Sequence, residues 1–497
     1  MRIFTVIFIF AAAVLTLAAC DGGSGGDGGG GFIPTGSILA VAERPGQNQL
    51  IKVGGTAGSV PPGSTVEVTN LDTGQTQITT GLPDGSFDPE FTGSTDDIFN
   101  VRVTDNGSLV QDEVVGVTLL RNAVERNLAQ LGSVPADIII RGATAYVING
   151  FSNNIQVFGL NQNQPQLIGT IVVPMGSNPI AMDFLNDTIA YVANNSGQSV
   201  SVVNVETRQC ETLIVGEDDI DETAPCQNVI ELNGSPFEEP AGVRAASGKI
   251  YVSNNNLDES FSPMGNGFIT VIDPGTNQIT DTIEATGANT TSMLVLNEIL
   301  YVLNNGNVLF DFDTSLFTCD FDFPPSIDEI DLQTDNVVET IDIALSEQNN
   351  LVCLPNNLTA DGDGFAYTGL GLVGALLKVD LLTGEVINGP ANPIIITDLS
   401  GLNNTADVVI KDNLLFTSLF NTDQIAVLDT DTDQVNPFPY ITPFPAGIRA
   451  DDPNAVLFDG VQSLAARSGG GFTGADIYFI TGISEQLGSL DSTLETQ

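Results

Sequence analysis

One short pattern recurs along most of the chain and restricts the folds open to it. An aromatic residue inside an apolar run is followed closely by a small polar residue, in four copies as Tyr-Val-x-Asn. The aromatic positions are Tyr146, Tyr191, Tyr251, Tyr301, Tyr367, Phe416 and Tyr478. Their spacings of 45, 60, 50, 66, 49 and 62 residues indicate a repeated unit with insertions. Six of the seven tyrosines occupy this position, so the repeat governs the architecture.

A second element follows the aromatic strand at a fixed phase, as a short strand that ends in Asp/Asn-x-x-Thr. The pairs are Asn204/Thr207, Asp273/Thr276, Asp331/Thr334, Asp380/Thr383 and Asp429/Thr432. Asp and Thr side chains bond to nearby backbone in tight turns, so these residues mark hairpin corners. A further short strand follows each corner. Four strands per unit, repeated seven times, predict an all-β fold with a seven-bladed β-propeller over residues 119–497.

The Tyr-Val-x-Asn strands and the Val271–Asn277 corner resemble the YVTN-type propeller repeats of secreted and surface proteins of bacteria and archaea. The resemblance extends over about residues 120–490 and implies the fold. It implies little about function, because propellers carry out unrelated tasks. An early strand within residues 113–122 is a candidate to complete blade 7 and close the ring.

A separate module is predicted over residues 37–118. Apolar and polar residues alternate there, for example at 64–69 and 98–103, and turn residues separate the runs. This period of two predicts a small antiparallel β-sandwich that precedes the propeller. Val60–Val66 and Asp84–Phe87 resemble bacterial immunoglobulin-like (Ig-like) modules, which usually serve as stalks or adhesion spacers.

The amino terminus has the form of an export signal, with Arg2 followed by a short apolar run. The run ends at Leu17-Ala18-Ala19-Cys20, which resembles a bacterial lipobox. Residues 1–19 are therefore expected to be a lipoprotein signal peptide and Cys20 the lipidated residue. The alternative is an ordinary signal peptide with an incidental cysteine. Residues 20–36, rich in glycine, read as a flexible tether. The sequence does not specify which membrane, or which leaflet of it, carries the lipid anchor.

The charge and the composition exclude several functions. The chain has 14 Lys and Arg against 62 Asp and Glu, a net charge of −48, which disfavours nucleic acid and anionic headgroups. The acidic surface suits a salty or cation-rich exterior, or serves solubility alone. There is no histidine, which removes Ser-His-Asp and Cys-His catalysis and imidazole metal sites.

The four cysteines besides Cys20 suggest two disulfides in an exported protein. Because strands in a blade alternate in direction, the loop between strands 2 and 3 leaves on the same face as the link to the next blade. Cys319, in such a loop of blade 4, is therefore expected to reach Cys353 in the link from blade 4 to blade 5. Cys210 and Cys226 are expected to bracket an insertion between strands 3 and 4 of blade 2.

Two acidic segments are candidate calcium sites, because clustered carboxylates supply the oxygen ligands that calcium takes. The candidate ligands are Glu217, Asp218, Asp219, Asp221 and Glu222 in the blade 2 insertion, and Asp311, Asp313, Asp320 and Asp322 in the blade 4 insertion. The alternative for the first segment is a solvated loop. The second segment reads as a hairpin of residues 310–313 and 320–323, either a partner-binding edge or a hairpin that packs its phenylalanines on the propeller.

Two further acidic segments, Asp429–Asp433 and Asp361–Gly364, are better interpreted as turns than as calcium motifs. The function expected from these features is non-catalytic: a cell-envelope lipoprotein that binds an envelope or extracellular protein or polymer through its propeller face and inserted loops. It would touch the membrane through its lipid anchor only. The alternative is a carboxylate- or calcium-dependent hydrolase or lyase, similar to propeller lactonases. A cofactor-bearing oxidoreductase is weaker, because no haem-attachment motif is present.

Overall fold

The computed structural model describes residues 34, 38–42, 49–55, 58–94, 96–119, 125–160, 165–216, 225–234, 236–258, 262–311, 316–349, 351–397, 404–420, 424–435, 440–441, 461–467, 477–481 and 485–490. Within these ranges the regular structure is β-strand, apart from one 3₁₀ turn at Glu347–Asn349. None of the described segments forms a helix long and apolar enough to span a bilayer. The strands fall into two compact units, one before Glu125 and one from Glu125 to Ser489.

The first unit is built from seven strands. They are β1 (Ile38–Ala42), β2 (Gln49–Gly55), β3 (Thr65–Asn70), β4 (Thr76–Thr80), β5 (Glu90–Gly93), β6 (Ile98–Asp105) and β7 (Ser108–Leu119). Their order is β4-β3-β6-β7-β1-β2-β5. The long strand β7 pairs antiparallel with β6 along its first part and parallel with β1 at residues 117–119. β7 is therefore the strand that joins the β4-β3-β6 part of the order to the β1-β2-β5 part.

The alternation predicted for the first unit is present in its strands. In β3 the side chains of Val66 and Val68 are fully buried, and in β6 those of Phe99, Val101 and Val103 are fully buried. Polar neighbours between them point outwards, as a period of two requires. Phe91 and Phe99 pack with ring centroids 5.0 Å apart inside this core. The inward residues hold the unit together through apolar burial.

The second unit begins with β8 (Glu125–Gln130), and seven sheets follow. Blade 1 contains β9 (Pro135–Arg141), β10 (Thr144–Asn149), β11 (Asn154–Gly159) and β12 (Gln166–Val172). Blade 2 contains β13 (Pro179–Phe184), β14 (Ile189–Asn194), β15 (Ser199–Asn204), β16 (Gln209–Gly216) and β17 (Asn228–Leu232). Blade 3 contains β18 (Pro240–Ala246), β19 (Lys249–Asn254), β20 (Phe268–Asp273) and β21 (Gln278–Glu284).

Blade 4 contains β22 (Thr290–Leu296), β23 (Ile299–Asn304), β26 (Ser326–Asp331) and β27 (Asn336–Asp342), with the hairpin β24 (Val308–Asp311) and β25 (Leu316–Cys319) inserted. Blade 5 contains β28 (Pro355–Ala360), β29 (Phe365–Leu370), β30 (Ala375–Asp380), β31 (Glu385–Asn388) and β32 (Ile394–Ile395). Blade 6 contains β33 (Thr405–Lys411), β34 (Leu414–Leu419), β35 (Gln424–Asp429), β36 (Gln434–Val435) and β37 (Tyr440–Ile441). Blade 7 contains β38 (Val461–Ala466), β39 (Ile477–Thr481) and β40 (Gln486–Leu490), completed by β8.

These sheets confirm the predicted all-β, seven-bladed propeller. The first strand of each blade packs against the first strand of the next, and β38 of blade 7 packs against β9 of blade 1. The seven inner strands therefore form a closed ring. Every repeated aromatic residue lies in the second strand of its blade, as expected from the sequence.

The ring closes through β8, which pairs with β40 so that the outer strand of the last blade comes from the start of the unit. Residues 113–119, part of the segment expected to close the ring, instead belong to β7 of the first unit. The rest of that segment, 120–122, lies outside the described residues. Leu131, directly after β8, is 5% exposed and belongs to the same core cluster as Leu487 and Tyr478.

The repeated tyrosines join neighbouring blades through their hydroxyl groups. Tyr191 donates to Asn277 Oδ1 at 2.6 Å, and Tyr251 donates to Asp335 Oδ1 at 2.8 Å. Each acceptor directly follows the threonine of the next blade's Asp-x-x-Thr corner, at a position where the backbone is left-handed. Blade 5 has Gly384 at that position, and Tyr301 donates to the Leu381 carbonyl 3.2 Å away instead. The two repeated elements of the sequence thus meet at the boundaries from blade 2 to blade 5.

The asparagine of the Tyr-Val-x-Asn pattern joins strands within a blade. Asn304 is fully buried, and its amide donates to Ser326 Oγ at 3.0 Å and to Asp328 Oδ2 at 3.0 Å on the neighbouring strand. Asn194 bonds in the same way to Ser199 and Ser201. Because a buried amide without partners is costly, asparagine recurs where the next strand supplies acceptors.

Loss of one tyrosine hydroxyl is expected to weaken a single blade boundary. Tyr251→Phe removes the bond to Asp335 and should lower the free energy of unfolding by about 1–2 kcal/mol. Tyr146→Phe is the matched control, because the Tyr146 hydroxyl makes no bond to any described residue and the blade 2 corner has Arg208 at the acceptor position. Urea unfolding followed by far-ultraviolet circular dichroism measures both. Equal losses would contradict the assignment of the bond.

Candidate functional site

Insertions concentrate on one face of the propeller. Strands within a blade are antiparallel, so loops between second and third strands emerge at the same end as links between blades. This end is called the insertion face, and the opposite end, which holds the Asp-x-x-Thr turns, is called the corner face. The insertion face carries residues 255–267 of blade 3, the β24–β25 hairpin of blade 4 and the links that follow blades 4 and 5.

A disulfide joins two of these insertions, as predicted. Cys319 ends the inserted hairpin of blade 4, Cys353 lies in the link to blade 5, and their Cα atoms are 5.8 Å apart. Both residues are buried, at 3% and 1% exposure. Since the bond connects segments separated by 34 residues, it restricts how the two insertions move relative to each other.

The inserted hairpin forms, but its second strand differs from the prediction. β24 pairs with β25, with Phe310 opposite Phe317, whereas the expected second strand at 320–323 is a turn. Asp320 stabilises that turn: its carboxylate accepts from Asn307 Nδ2 at 2.9 Å and from the Asp322 amide at 3.0 Å. Local capping by an aspartate competes with strand pairing, which explains the difference.

The second predicted disulfide, Cys210–Cys226, is also present, with Cα atoms 4.5 Å apart. The insertion that it closes lies after strand 4 of blade 2, not between strands 3 and 4. The corner at Asn204 is tight, because its Oδ1 accepts from the backbone of Thr207 at 2.9 Å, so strand 4 already contains Cys210. The chain then returns to the corner face and adds β17 parallel to β16.

The candidate calcium ligands fall mostly outside the described structure. This applies to Glu217, Asp218, Asp219, Asp221, Glu222 and Asp313, and to the side chain of Asp311. The described parts of the chain contain no group of three or more Asp, Glu, Cys or His side chains placed to hold a metal ion. Asp361 Oδ1 accepts from Asp363 and Phe365, and Asp429 Oδ1 accepts from Asp431 and Thr432, so both remaining acidic segments are turns as interpreted.

Apolar side chains are exposed on the insertion face. Val134, Phe151, Met175, Met264, Leu309, Phe321 and Ile395 all lie in its loops and links, with exposures from 39% to 75%. The turns of the corner face expose Leu382, at 62%, and strand residues near that face expose Leu167, Ile168, Val295 and Val338. Exposed apolar side chains gathered in loops on one side of a rigid scaffold are typical of protein-binding surfaces.

An acidic group also lies on the insertion face, at the link from blade 2 to blade 3. Burial, together with the neighbouring Glu238 and Asp258, raises the pKa of Glu239 to about 7. The backbone of Glu239 is left-handed, with a φ of 51°. Its amide donates to Gln198 of blade 2 at 2.6 Å, which fixes this strained position.

A belt of polar side chains crosses the inner strands. Each inner strand has a bulge or register shift near its start, which re-aims the residues there. The third residues of the seven strands are Asp137, Ala181, Gly242, Ser292, Asn357, Asp407 and Ser463. Five of them are polar and are linked by hydrogen bonds from blade 4, through blades 5, 6 and 7, to blade 1.

Two carboxyl groups stand at the centre of this belt. Asp407 is 5% exposed, and burial raises its pKa although four donors act against that shift. Burial and the nearby Asp407 raise the pKa of Asp137 to about 7. Ser463 Oγ lies 3.0 Å from Asp137 Oδ1 and 2.8 Å from Asp407 Oδ2, so it bridges the two carboxyl groups.

A basic group completes the belt on the other side. Arg244 of blade 3 donates to the Met293 carbonyl of blade 4 at 3.1 Å through Nε, and its Nη1 lies 3.7 Å from Asp183 Oδ2 of blade 2. Asp183 also accepts from the Ala245 amide at 2.9 Å. The polar side chains described on the inner strands thus bond to one another, and these bonds link neighbouring blades.

Reasoning from the sequence did not select Asp137, Asp407 or Ser463. The signal that points to them is positional, because each is the third residue of an inner strand. That signal becomes readable only when all seven blades are aligned on their tyrosines and the bulges are known. With 62 acidic residues in the chain, composition alone identifies no pair.

Comparisons with known proteins show likeness of fold. No protein-family model and no curated protein matches the chain. Hydrazine synthase of Kuenenia stuttgartiensis is similar in structure, with a TM-score of 0.53 and 15% identity over 74% of this chain and 97% of that chain. The computationally designed Ika8 protein has a TM-score of 0.41 at 12% identity, covering 91% of this chain and 99% of that one. The WD40 β-propeller domain of Doa1 has a TM-score of 0.45 at 10% identity, covering 75% and 98%. At these identities the likeness concerns the fold and carries no statement about activity.

Proposed function

We propose that this chain is a non-catalytic binding protein of the bacterial cell envelope that engages an envelope or extracellular protein or polymer through its insertion face. One observation carries the proposal: the Cys319–Cys353 disulfide fixes two separate insertions on the face that exposes apolar side chains. A rigid platform of this kind lowers the entropy cost of ordering loops when a partner binds. The Cys210–Cys226 disulfide near the corner face closes one insertion on its own blade and does not join two separate insertions.

The anchor is proposed from residues outside the described structure. Leu17–Cys20 supports a lipidated Cys20, and the glycine-rich residues 20–36 support a tether between membrane and folded body. The two disulfides support an oxidising, exported location. Membrane contact would be through the lipid only, and the net charge of −48 argues against a nucleic-acid partner.

The family resemblances refine the proposal. The Tyr-to-corner hydrogen bonds give a structural reason for the Tyr-Val-x-Asn and Asp-x-x-Thr elements, which supports a YVTN-type repeat. In the first unit, seven strands in the order β4-β3-β6-β7-β1-β2-β5 around one buried apolar core support an Ig-like spacer. A spacer between the tether and the propeller would hold the propeller away from the membrane surface.

The alternative is a hydrolase or lyase that uses channel carboxylates. The Asp137–Ser463–Asp407 bridge favours it, since burial raises the pKa of both neighbouring acids, and raised pKa values are common among catalytic acids. Against it, Asp407 is engaged by Asn357, Ser463 and backbone amides, which leaves this carboxylate little freedom to act on a substrate. A purified chain that turns over a small ester or lactone, and loses that turnover in Asp137→Asn, would replace the binding proposal.

The test compares the two faces of the propeller in cells. A tagged chain is crosslinked and recovered, with and without a calcium chelator, and partners are identified by mass spectrometry. Phe321→Asp on the insertion face is expected to reduce partner recovery at least tenfold, a loss typical of an interface hot spot. Leu382→Asp on the corner face is the matched control, because both side chains are at least half exposed, at 50% and 62%.

Loss of partner recovery in Phe321→Asp, with recovery kept in Leu382→Asp, supports the insertion face as the binding surface. Equal recovery in both variants contradicts it. Loss on chelation alone would show that calcium orders the binding surface and would direct attention to residues 217–222.

A further inference from the structure

The bridge between Asp137 and Asp407 contains more acceptors than hydrogens. Ser463 Oγ lies within hydrogen-bond distance of a carboxyl oxygen on both sides, at 3.0 and 2.8 Å. A serine hydroxyl has one hydrogen, and an ionised carboxylate only accepts. Both contacts are hydrogen bonds only if one of the two carboxyl groups is protonated. A proton bound to one of the carboxyl groups makes both contacts hydrogen bonds.

The neighbours of the two groups decide which one carries it. Asp407 accepts from the Leu464 amide at 2.7 Å, from the Val408 amide at 2.8 Å, and from the Asn357 side chain. These donors favour its ionised form. Among the described residues, Asp137 accepts from the Ile138 amide at 2.7 Å, and its second contact is Ser463. The proton thus belongs on Asp137, which donates to Ser463, and Ser463 donates to Asp407.

We infer that Asp137, Ser463 and Asp407 form a proton-dependent latch that closes the propeller ring. Asp137 belongs to blade 1, Ser463 to blade 7 and Asp407 to blade 6, so the bridge crosses the seam where the first and last blades meet. The same seam is joined on its outer side by the pairing of β8 with β40. The bridge thus closes the ring at its inner strands, and the pairing of β8 with β40 closes it at the outer edge.

The charged groups on the strands around the latch are few. Arg244 of β18 is the cation that acts on Asp137, and it opposes the effect of Asp407. From β13, Asp183 lies beside Arg244. Three other cations of the neighbouring strands are held elsewhere: Arg467, near β38, donates to the Gly142 carbonyl, Arg141 of β9 pairs with Asp187, and Lys411 of β33 lies beside Asp412. The strands β22 and β28 bring Ser292 and Asn357, which do not titrate.

The direction of the pH effect follows from where the proton is bound. In the unfolded chain Asp137 loses its proton near the ordinary value of 3.8, and in the folded chain it does so at about 7. The stabilisation from the latch is complete below the lower value and is lost as the pH rises through the upper one. Within that window one bound proton changes the unfolding equilibrium constant by about tenfold per pH unit. Above it, two carboxylates compete for a single hydroxyl hydrogen.

The test uses the tyrosines as a reporter of the propeller. All seven tyrosines lie between residues 146 and 478, and the chain has no tryptophan. Near-ultraviolet circular dichroism of the full-length protein therefore follows the unfolding of this unit alone. Urea unfolding is measured from pH 5 to pH 7 for the natural chain, Asp137→Asn, Asp407→Asn and Asp342→Asn. The last variant removes one exposed charge from β27 and serves as the control for net charge.

The two latch variants should behave differently. An amide at position 137 does not titrate, and its NH₂ group can donate to Ser463 as the protonated acid does. Because the Ile138 amide bonds to the same oxygen that faces Ser463, this variant loses the Ile138 bond at every pH. Asp137→Asn should fold. Between pH 5 and pH 7 its unfolding equilibrium constant should change about a hundredfold less than that of the natural chain, which is about tenfold per pH unit. Asp407→Asn places an amide among donors and should be destabilised at every pH. Glu239 is present in all four proteins, so its own titration cancels in the comparison.

These measurements distinguish a hydrogen-bonded bridge between blades from a carboxyl group that is only buried. Asp137→Asn with the same pH slope as the natural chain and Asp342→Asn would overturn the inference. Asp407→Asn with natural stability would also overturn it, because the bridge would then not need its acceptor. A reduced slope in Asp137→Asn, together with lower stability of Asp407→Asn across the whole pH range, supports the latch.

Discussion

Replacing Leu131 by aspartate is expected to open the propeller ring and abolish its cooperative unfolding. Leu131 is 5% exposed within the cluster that contains Leu487, and its amide donates to the Glu485 carbonyl at 2.7 Å, so it holds β8 on the last blade. A carboxylate there must either stay buried without a partner or pull the strand away. Loss of the near-ultraviolet tyrosine signal, with faster proteolysis, measures the effect. The milder Leu131→Ala should fold and lose about 3 kcal/mol.

The matched control lies in the segment that the sequence alone favoured for closure. Val114→Asp changes a β7 side chain that is 63% exposed, so the propeller signal should be unchanged. If Val114→Asp disrupted the propeller and Leu131→Asp did not, closure by β8 would be wrong. A native tyrosine signal in Leu131→Asp, with an unchanged unfolding midpoint, would contradict the prediction on its own.

The second large effect is expected from removing the disulfide on the insertion face. The double variant Cys319→Ser/Cys353→Ser releases a loop closed over 34 residues, which corresponds to about 4 kcal/mol in the chain-entropy description. The variant Cys210→Ser/Cys226→Ser releases 16 residues and should cost about 3 kcal/mol. Urea unfolding of both proteins under non-reducing conditions gives the two values.

The two disulfide variants differ more in binding than in stability. Cys319 and Cys353 hold insertions on the proposed binding face, whereas Cys210 and Cys226 lie near the corner face. Partner recovery from cells should therefore fall in the first variant and persist in the second. Retained recovery in Cys319→Ser/Cys353→Ser would show that the partner does not depend on this platform, even if the protein is less stable.

The structure of the inserted loops could be predicted only in part from the local sequence. The Cys319–Cys353 pairing follows from strand direction, which a repeat reveals, and the Cys210–Cys226 pairing follows from the insertion that these two residues bracket. The second strand of the blade 4 hairpin was misplaced because Asp320 caps a turn with its own side chain, a choice between local and cross-strand bonding. The blade 2 insertion was misplaced by one strand because the tight corner at Asn204 starts strand 4 earlier than expected.

The sequence by itself determined the strand period, the number of blades and the position of the repeated tyrosines, because each of these is written in residues close together in the chain. Tertiary structure alone decided which strand closes the ring, since β8 and β40 meet across more than 350 residues of sequence. It also decided the latch: Asp137 and Ser463 are 326 residues apart, and only a closed ring places them 3.0 Å from each other. Contacts between distant segments depend on ring geometry and bulge placement, and no local pattern of side chains encodes either.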